Sequence, residues 1–314
     1  MRSSRRLVIA SSLTEQHNEW LAAHPSRPEV IRLATPWDVP DNAEALFTYQ
    51  TQWRAAPAAR PAGWFGGLKW IQVASAGVDT FPPWFFEGPP VTRGLGVQAP
   101  AIAEYVLSAI FAHEKRFWDI RVHSRGDWRH RDLGGIAGKA LGIAGFGAIG
   151  AEIATRVLPL GMRIKALTRS RPIEVAGVEQ AASFDELVAT SDHLVLALPL
   201  TPQTRCMVDR DRLAAARRGL HLINVARGAI IDDAALLEAL DTGRVGAATL
   251  DVTSPEPLPD GHPFYGHPRI RLTPHVSGQS EDLEQRLSAR LLGNLERYLF
   301  GRPLQGLVDL EHRY

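Results

Sequence analysis

The sequence predicts an α/β protein of two units, each a parallel sheet covered by helices. Three observations carry this reading. Short apolar runs alternate with polar or helical stretches through the first hundred residues, the alternation breaks over residues 117–138, and it resumes more regularly from Ala140. A chain of 314 residues is long enough for two domains with separate cores.

In the first stretch the strand candidates are Leu7–Ala10, Val30–Leu33, Ala45–Tyr49, Trp70–Ala74 and the short Val91–Thr92. Pro100 then opens a helix whose Ile102, Tyr105, Val106, Ala109 and Ile110 recur at three- and four-residue spacing, so one face is buried. Residues 117–138 mix aromatics and glycines into a run of Arg, His and Asp, the composition of a partner arm or of a surface excursion. Leu141–Ala144 reads as a strand, Ile149–Leu160 as a helix and Arg163–Thr168 as a strand. Ser183 with Glu186 forms a capping-box pattern ahead of the next helix, and His193–Ala197 is a buried strand. Leu220–Val225 and Val245–Leu250 follow as strands, with the helix Asp233–Leu240 between them and Gly243 closing it. Arg269–Leu272 is the last strand, and a long helix runs from about Ser280 to Phe300. Its stripe Leu283, Leu287, Leu291 and Leu295 must bury somewhere. If that helix returns to the first unit, the second unit is inserted in the first, giving residues 1–98 with 283–314 and residues 99–282.

Composition excludes several classes. Apolar residues make up 45% and charged residues 22%, the balance of a soluble globular protein. The formal net charge of +1 provides no global field toward nucleic acid or an anionic membrane. All but four of the 35 basic residues (Lys69, Lys115, Lys139 and Lys165) are arginine, a bias that fits a GC-rich coding sequence. The single cysteine, Cys206, rules out an internal disulfide and a thiolate metal cluster; no metal site is expected, and a reducing cytoplasm is the natural setting. The apolar run after Arg2, Arg5 and Arg6 is too short for a signal peptide, and no run approaches the about twenty apolar residues of a membrane span.

Gly145-Phe146-Gly147-Ala148-Ile149-Gly150 is G-x-G-x-x-G, placed directly after a predicted strand and directly before a helix. Gly145 permits the tight turn, Gly147 lets backbone N–H groups approach a pyrophosphate, and Gly150 lets the helix lie close to the sheet. An NAD-binding site places a carboxylate at the end of the next strand to accept from the ribose 2′-hydroxyl. Here the segment reads Leu167-Thr168-Arg169-Ser170-Arg171, two guanidiniums and two hydroxyls suited to a 2′-phosphate. NADP(H) is the expected cofactor and NAD(H) the alternative, since arginines are common all over this chain.

Three further motifs fall at strand ends of the second unit, where open α/β sheets bind ligands. They are Ile223-Asn224-Val225-Ala226-Arg227-Gly228, Asp251-Val252-Thr253-Ser254-Pro255-Glu256-Pro257 and Leu272-Thr273-Pro274-His275-Val276-Ser277-Gly278. Each brings a polar group suited to carbonyl reduction. Together with the glycine loop and Val73-Ala74-Ser75-Ala76-Gly77-Val78-Asp79, they resemble the D-isomer-specific 2-hydroxyacid dehydrogenase family over nearly the whole chain.

The resemblance implies a flavodoxin-like substrate domain, an inserted Rossmann-type nucleotide domain with the active site between them, and a homodimer built on the nucleotide domains with 117–138 as its arm. It implies that a 2-keto acid carboxylate sits on backbone N–H groups of Ser75, Ala76 and Gly77, and that Arg227 binds the carboxylate or carbonyl oxygen and polarises the carbonyl. His275 is then the proton donor and Glu256 its partner. Asp251 accepts from the nicotinamide carboxamide, while Leu198, Pro199, Thr204, Val225, Ala226, His275 and Gly278 join the glycine loop in the cofactor site. His113, His123, His130, His262 and His267 have no such context. Trp53, Trp64 and Trp70 suit a core, with Tyr49, Gln50 or Trp53 as pocket-lining candidates.

Within the family, glutamate at 256 departs from the glutamine of formate-dehydrogenase-like members, and a chain ending at Tyr314 is not expected to carry the regulatory domain of long phosphoglycerate dehydrogenases. The basic Thr168–Arg171 segment resembles NADPH-dependent glyoxylate/hydroxypyruvate reductases, working in the cytoplasm on a small 2-keto acid. Arg93-Gly94-Leu95-Gly96 departs from the more polar segment many relatives carry. The alternatives are a nucleotide-sensing, corepressor-like interaction protein and a dehydrogenase for a larger 2-keto acid.

Overall fold

The computed structural model describes residues 6–169 and 172–309, in two compact units: one runs to Val97 and resumes at Ser280, the other is Gln98–Gln279. The first unit begins with β1 (Val8–Ser11), α1 (Glu15–Ala22), β2 (Glu29–Arg32), β3 (Ala45–Thr48), β4 (Trp70–Val73) and β5 (Val91–Thr92). All pairings are parallel and the order is β2-β1-β3-β4-β5, the flavodoxin-like arrangement. The strands β1, β3 and β4 are buried at every position, as expected of central strands covered on both faces, while the edge strand β2 is partly exposed.

The second unit runs α2 (Ala99–Glu114), β6 (Ala140–Ala144), α3 (Ala148–Val157), β7 (Arg163–Leu167), β8 (Val178–Gln180), α4 (Phe184–Thr190), β9 (His193–Leu196), α5 (Arg210–Ala215), β10 (Leu220–Asn224), α6 (Asp233–Asp241), β11 (Val245–Leu250), α7 (Pro263–Gly266) and β12 (Ile270–Leu272). Its seven parallel strands are ordered β12-β11-β10-β9-β6-β7-β8. The order reverses at β6, so the crevice at the carboxyl ends of β6 and β9 is the topological switch point of a Rossmann-type sheet. Three short elements, β8, α5 and α7, are absent from the sequence reading because three edge residues and helices of six and four residues are too short to show a period.

The last helix, α8 (Leu283–Leu299), belongs to the first unit and buries Leu287, Leu291 and Leu295 against Leu7, Ile9, Phe47 and Trp70. A second core on the other side of that sheet is aromatic: Trp53 meets Trp64 and Phe85 edge-on, with Trp53 and Phe85 centroids 4.7 Å apart, and Phe81 packs on Trp53 and Phe85 at tilted angles. Trp53 is 1% exposed and donates its indole N–H to Thr48 Oγ1 at 2.7 Å. It is therefore a core residue and not a lining of the substrate pocket. The capping pattern at α4 also differs in detail. Ser183 Oγ accepts from the Glu186 N–H, while the Glu186 carboxylate reaches past the cap to the N–H of Ala182.

Three histidines meet beneath the second sheet. His193 and His221, at the starts of adjacent strands, place their Nδ1 atoms 3.1 Å apart, and His113 of α2 stacks on His221 with centroids 4.3 Å apart. His221 Nε2 lies 2.9 Å from Thr249 Oγ1, and Glu114, paired with Lys139 at 2.7 Å, stands 3.2 Å from His193 Nε2. Burial, reinforced by the neighbouring imidazole, lowers the His113 pKa from 6.5 to about 4, and pushes His221 well below its usual value. Between pH 6.5 and 4 the unfolded chain thus binds protons that the folded chain does not. The contribution of the neutral cluster to stability is full above about pH 6.5 and is lost as the pH falls toward 4; melting temperatures should decline across that window, and His113→Phe, which keeps the stack and removes one site, should make the decline shallower. A flat profile in the parent protein would show that the cluster is not held neutral.

Candidate active site

The glycine turn has the geometry its residue types suggest. Gly145 adopts φ 102°, and a Cβ there would lie 2.6 Å from the Ala197 carbonyl oxygen. A Cβ at Gly150 would lie 2.4 Å from the Gly145 carbonyl oxygen, whereas Gly147 faces open space. The first bond within α3 runs from the Ala151 N–H to the Gly147 carbonyl, so the N–H groups ahead of it project at the exposed, positive end of the helix. Both Gly145 and Phe146 donate their N–H groups to the Leu167 carbonyl, at 3.0 and 3.1 Å. That pair of bonds fastens the glycine turn to the end of β7 and sets Thr168 and the exposed Arg169 beside it. Ser170 and Arg171, the other half of the proposed phosphate segment, lie outside the described residues. After β9, Leu198 is buried and Pro199 exposed, and the Thr204 hydroxyl donates to the Pro199 carbonyl at 2.7 Å while accepting from the Thr201 N–H. Thr204 thus closes its own loop.

One buried carboxylate ties the second strand-end motif to the third, and the backbone N–H of the same residue donates to the Asn224 carbonyl of the first at 3.0 Å. Asp251, 1% exposed, accepts from the Thr273 hydroxyl at 2.6 Å and from the N–H groups of Val276 and Ser277 at 2.9 Å each. The Asp251 carbonyl accepts from the N–H of His275. These bonds wrap residues 273–277 around one side chain and hold His275 at φ 55°, a left-handed conformation a histidine rarely takes. Three acceptor positions of Asp251 are used, and one lone pair of Oδ2 is left for a further donor. Tyr105 of α2 extends the chain: its hydroxyl lies 2.7 Å from Thr273 Oγ1, and since Thr273 donates to Asp251, Tyr105 donates to Thr273. Burial raises the Tyr105 pKa, which keeps that donor protonated.

The imidazole of His275 is half exposed, and its Nδ1 lies 2.9 Å from Glu256 Oε2. The other Glu256 oxygen accepts from the Thr253 N–H at 3.1 Å, so the carboxylate is aimed before any ligand arrives. With Nδ1–H donated to Glu256, Nε2 is the ring nitrogen left for a further partner. Arg227 stands on the neighbouring turn. Asn224 shapes this turn, accepting from the Ala226 N–H and donating to the Arg227 carbonyl, both at 3.0 Å. Gly228 presses against the Glu256 loop so closely that a Cβ would lie 2.0 Å from the Thr253 carbonyl carbon. Val225 and Ala226 are buried, and Gly278 packs on Gln98, where a Cβ would lie 2.6 Å from the amide nitrogen. A fixed cation, an aimed imidazole and a glycine-lined helix terminus are the components of hydride transfer to a carbonyl. A family model, D-isomer specific 2-hydroxyacid dehydrogenase, NAD binding domain, matches residues 107–277.

The chain belongs to the D-isomer specific 2-hydroxyacid dehydrogenase family.

It is an NAD(P)-dependent oxidoreductase of that family. Glyoxylate/hydroxypyruvate reductase A of Serratia proteamaculans is 31% identical over 307 residues, covering 93% of this chain and 95% of that relative. Among solved structures, a D-isomer specific 2-hydroxyacid dehydrogenase from Xanthobacter autotrophicus Py2, in complex with NADPH and MES, superposes with a TM-score of 0.80 at 28% identity, covering 98% of this chain and 99% of that one. An NADPH-dependent glyoxylate/hydroxypyruvate reductase from Sinorhizobium meliloti, in complex with NADP and sulfate, gives 0.80 at 26% identity, with 99% and 100% covered.

In the first unit of this dehydrogenase, the Ser75–Gly77 loop follows β4. Its carbonyls are all occupied: Ser75 accepts from the Gly94 N–H at 3.0 Å, Ala76 from Arg93 Nη1 at 2.8 Å and Gly77 from the Ser75 hydroxyl at 3.2 Å. Among the described residues no acceptor takes the N–H groups of Ala76, Gly77 or Val78. Consecutive donors of this kind form an anion-binding concavity.

Sequence reasoning placed Tyr105, Thr273, Asn224 and Arg93 in their segments but gave none of them a partner. A hydroxyl-bearing Tyr on an otherwise apolar helix face and an Asn ending a buried strand are signals of required partners, but neither names the partner.

Proposed function

We propose that this enzyme uses NADPH to reduce a small 2-keto acid of the glyoxylate or hydroxypyruvate type to the D-2-hydroxy acid. The observation that carries the reading is the 2.9 Å contact between His275 Nδ1 and Glu256, which leaves Nε2 for proton donation. The nucleotide fits the residues present: Gly147 is open where a side chain would obstruct the pyrophosphate, and the N-terminus of α3 is exposed behind it. Gly145–Gly150 hold the pyrophosphate, Thr168 and Arg169, with Ser170 and Arg171, take the 2′-phosphate, and Leu198, Pro199, Thr204, Val225, Ala226 and Gly278 line the remainder. The open lone pair of Asp251 accepts from the carboxamide. When bound, the nucleotide supplies the hydride to the carbonyl carbon.

The chain's own groups supply the rest. The N–H groups at the Ser75–Gly77 loop take the substrate carboxylate. Arg227 polarises the carbonyl oxygen as a permanent cation. His275 Nε2 donates its proton to the developing alkoxide, and Glu256 stabilises the imidazolium and fixes its orientation. In the oxidative direction the same nitrogen accepts the proton. Reduction therefore requires the imidazolium and oxidation the neutral ring, so the two directions have opposite pH dependences.

The relatives named above support this substrate class, and their NADP-bound structures support the choice of nucleotide. Following NADPH and NADH oxidation with glyoxylate, hydroxypyruvate, pyruvate and phenylpyruvate tests it. We expect turnover with the two small substrates and a preference for NADPH of about tenfold or more, which Arg169→Ala reduces by raising the NADPH KM and leaving the NADH KM unchanged. A preference for NADH would overturn the phosphate site, and turnover confined to phenylpyruvate would favour the larger substrate.

We also propose a cytoplasmic homodimer. Phe117, Trp118, Trp128 and Leu133 in the 117–138 segment are exposed, Trp128 to 78%, and a cavity of about 550 Å³ opens beside α2 and β11, lined by Tyr105, Ala109, Trp118 and Arg271. A monomer by sedimentation would exclude that assembly.

A further inference from the structure

Arg93 follows β5 on a backbone fixed from both sides. Its N–H donates to the Gly306 carbonyl at 2.9 Å, and a Cβ at Gly306 would lie 2.5 Å from the Arg93 carbonyl oxygen. The next residue, Gly94, approaches the preceding strand end so closely that a Cβ would lie 2.1 Å from the Ala74 carbonyl oxygen. Glycine at this position lets the end of β5 lie against the Ser75–Gly77 loop, within reach of the Arg93 guanidinium. That guanidinium is largely buried, which lowers its pKa, and its Nε has no hydrogen-bond partner among the described residues. Among the described residues no carboxylate pairs with it, and its one hydrogen bond runs from Nη1 to the Ala76 carbonyl at 2.8 Å. Burying a cation without a counter-charge is costly, and such an arrangement persists where an anion completes it.

A trans peptide points its C=O and N–H in opposite directions. Holding the Ala76 carbonyl therefore fixes the direction of the Gly77 N–H, one of the consecutive loop donors, from Ser75 to Val78, that lack acceptors among the described residues.

We propose that Arg93 is the positioning residue of the substrate-carboxylate loop, anchoring the Ala76 carbonyl so that the Ala76, Gly77 and Val78 N–H groups converge on the carboxylate, with its own uncompensated charge behind them. This rests on reading Ser75–Gly77 as the carboxylate site. It also gives a physical role to the Arg93-Gly94 pair: the arginine supplies donor and charge, and the glycine supplies the proximity.

The test uses the full chain with Arg93→Ala and Arg93→Lys. Steady-state kinetics with glyoxylate is paired with oxalate binding to the NADPH complex, followed by tryptophan fluorescence, and with melting curves. Arg93→Ala should raise the glyoxylate KM and the oxalate Kd together by about thirtyfold, change kcat less than about threefold and leave the NADPH KM unchanged. Arg93→Lys keeps the charge and one donor but loses the fixed fork, and should leave both constants about three- to fivefold above the parent. Parent-like KM and Kd in folded Arg93→Ala would overturn the proposal. So would equal losses of oxalate and NADPH binding with a lowered melting temperature, the mark of a purely structural role. If Arg93→Ala does not fold, Arg93→Lys decides: a rise of about threefold in both constants supports the proposal and none overturns it. Oxalate binding that depends on Arg93 in a protein that reduces no 2-keto acid would uphold this inference and overturn the proposed reaction.

Discussion

Replacing His275 by alanine should lower kcat for 2-keto acid reduction by about a thousandfold while NADPH affinity stays within about twofold. The imidazole is the group with an aimed proton and an unoccupied nitrogen, and water replaces it poorly because water is not held at φ 55° on a loop fastened to Asp251. Glu256→Gln should be milder, about a hundredfold, since the amide still meets Nδ1 but no longer carries the charge that stabilises the imidazolium. The decisive comparison is between substrate directions. If His275 gives a proton in reduction and takes one in oxidation, both rates fall together in His275→Ala. A variant with full reductive activity would place the proton donor elsewhere.

The second large effect falls on a residue that makes no proton transfer. Asp251→Ala should cost about 3 kcal/mol of stability and lower kcat by about a hundredfold, because it strands the Thr273 hydroxyl and the N–H groups of Val276 and Ser277. Each buried donor left without an acceptor loses more than the bond was worth, and the left-handed backbone at His275 loses the contacts that impose it. Asp251→Asn keeps the volume but offers one oxygen to three donors and turns an NH₂ group toward an N–H. It should recover only part of either loss. Urea melts and steady-state rates on the same preparations measure both; a fully active Asp251→Ala would show that the 273–277 loop holds its shape unaided.

The glycine turn could be read because each glycine answers a local steric demand: a positive φ at Gly145 and a crowded contact at Gly150. Arg227, Glu256 and His275 stood out as candidates because a charged residue placed beside glycine or proline at the end of a buried strand is poor material for packing alone, and the structure brings Glu256 and His275 into contact. Their motifs also resemble a family whose membership the whole-chain comparison establishes. The strands and most helices followed from alternation, apart from β8, α5 and α7, which are too short to carry a pattern, while the strand order came only from the structure.

What could not be read is pairing over distance. Tyr105 and Thr273 are 168 positions apart, and nothing in either neighbourhood names the other. The histidines His113, His193 and His221 come from one helix and two strands, and each alone resembles an isolated polar residue in an apolar segment. Asp251 shows the same limit. Its motif suggested a cofactor contact, whereas the structure adds that the same carboxylate organises the proton-donor loop.

The most direct test of the central claim is to supply hydroxypyruvate with NADPH deuterated at the transferable position and to analyse the product by NMR and chiral chromatography. The account predicts D-glycerate carrying one deuterium at C2 for each NADPH consumed. An L product, or label absent from C2, would contradict it.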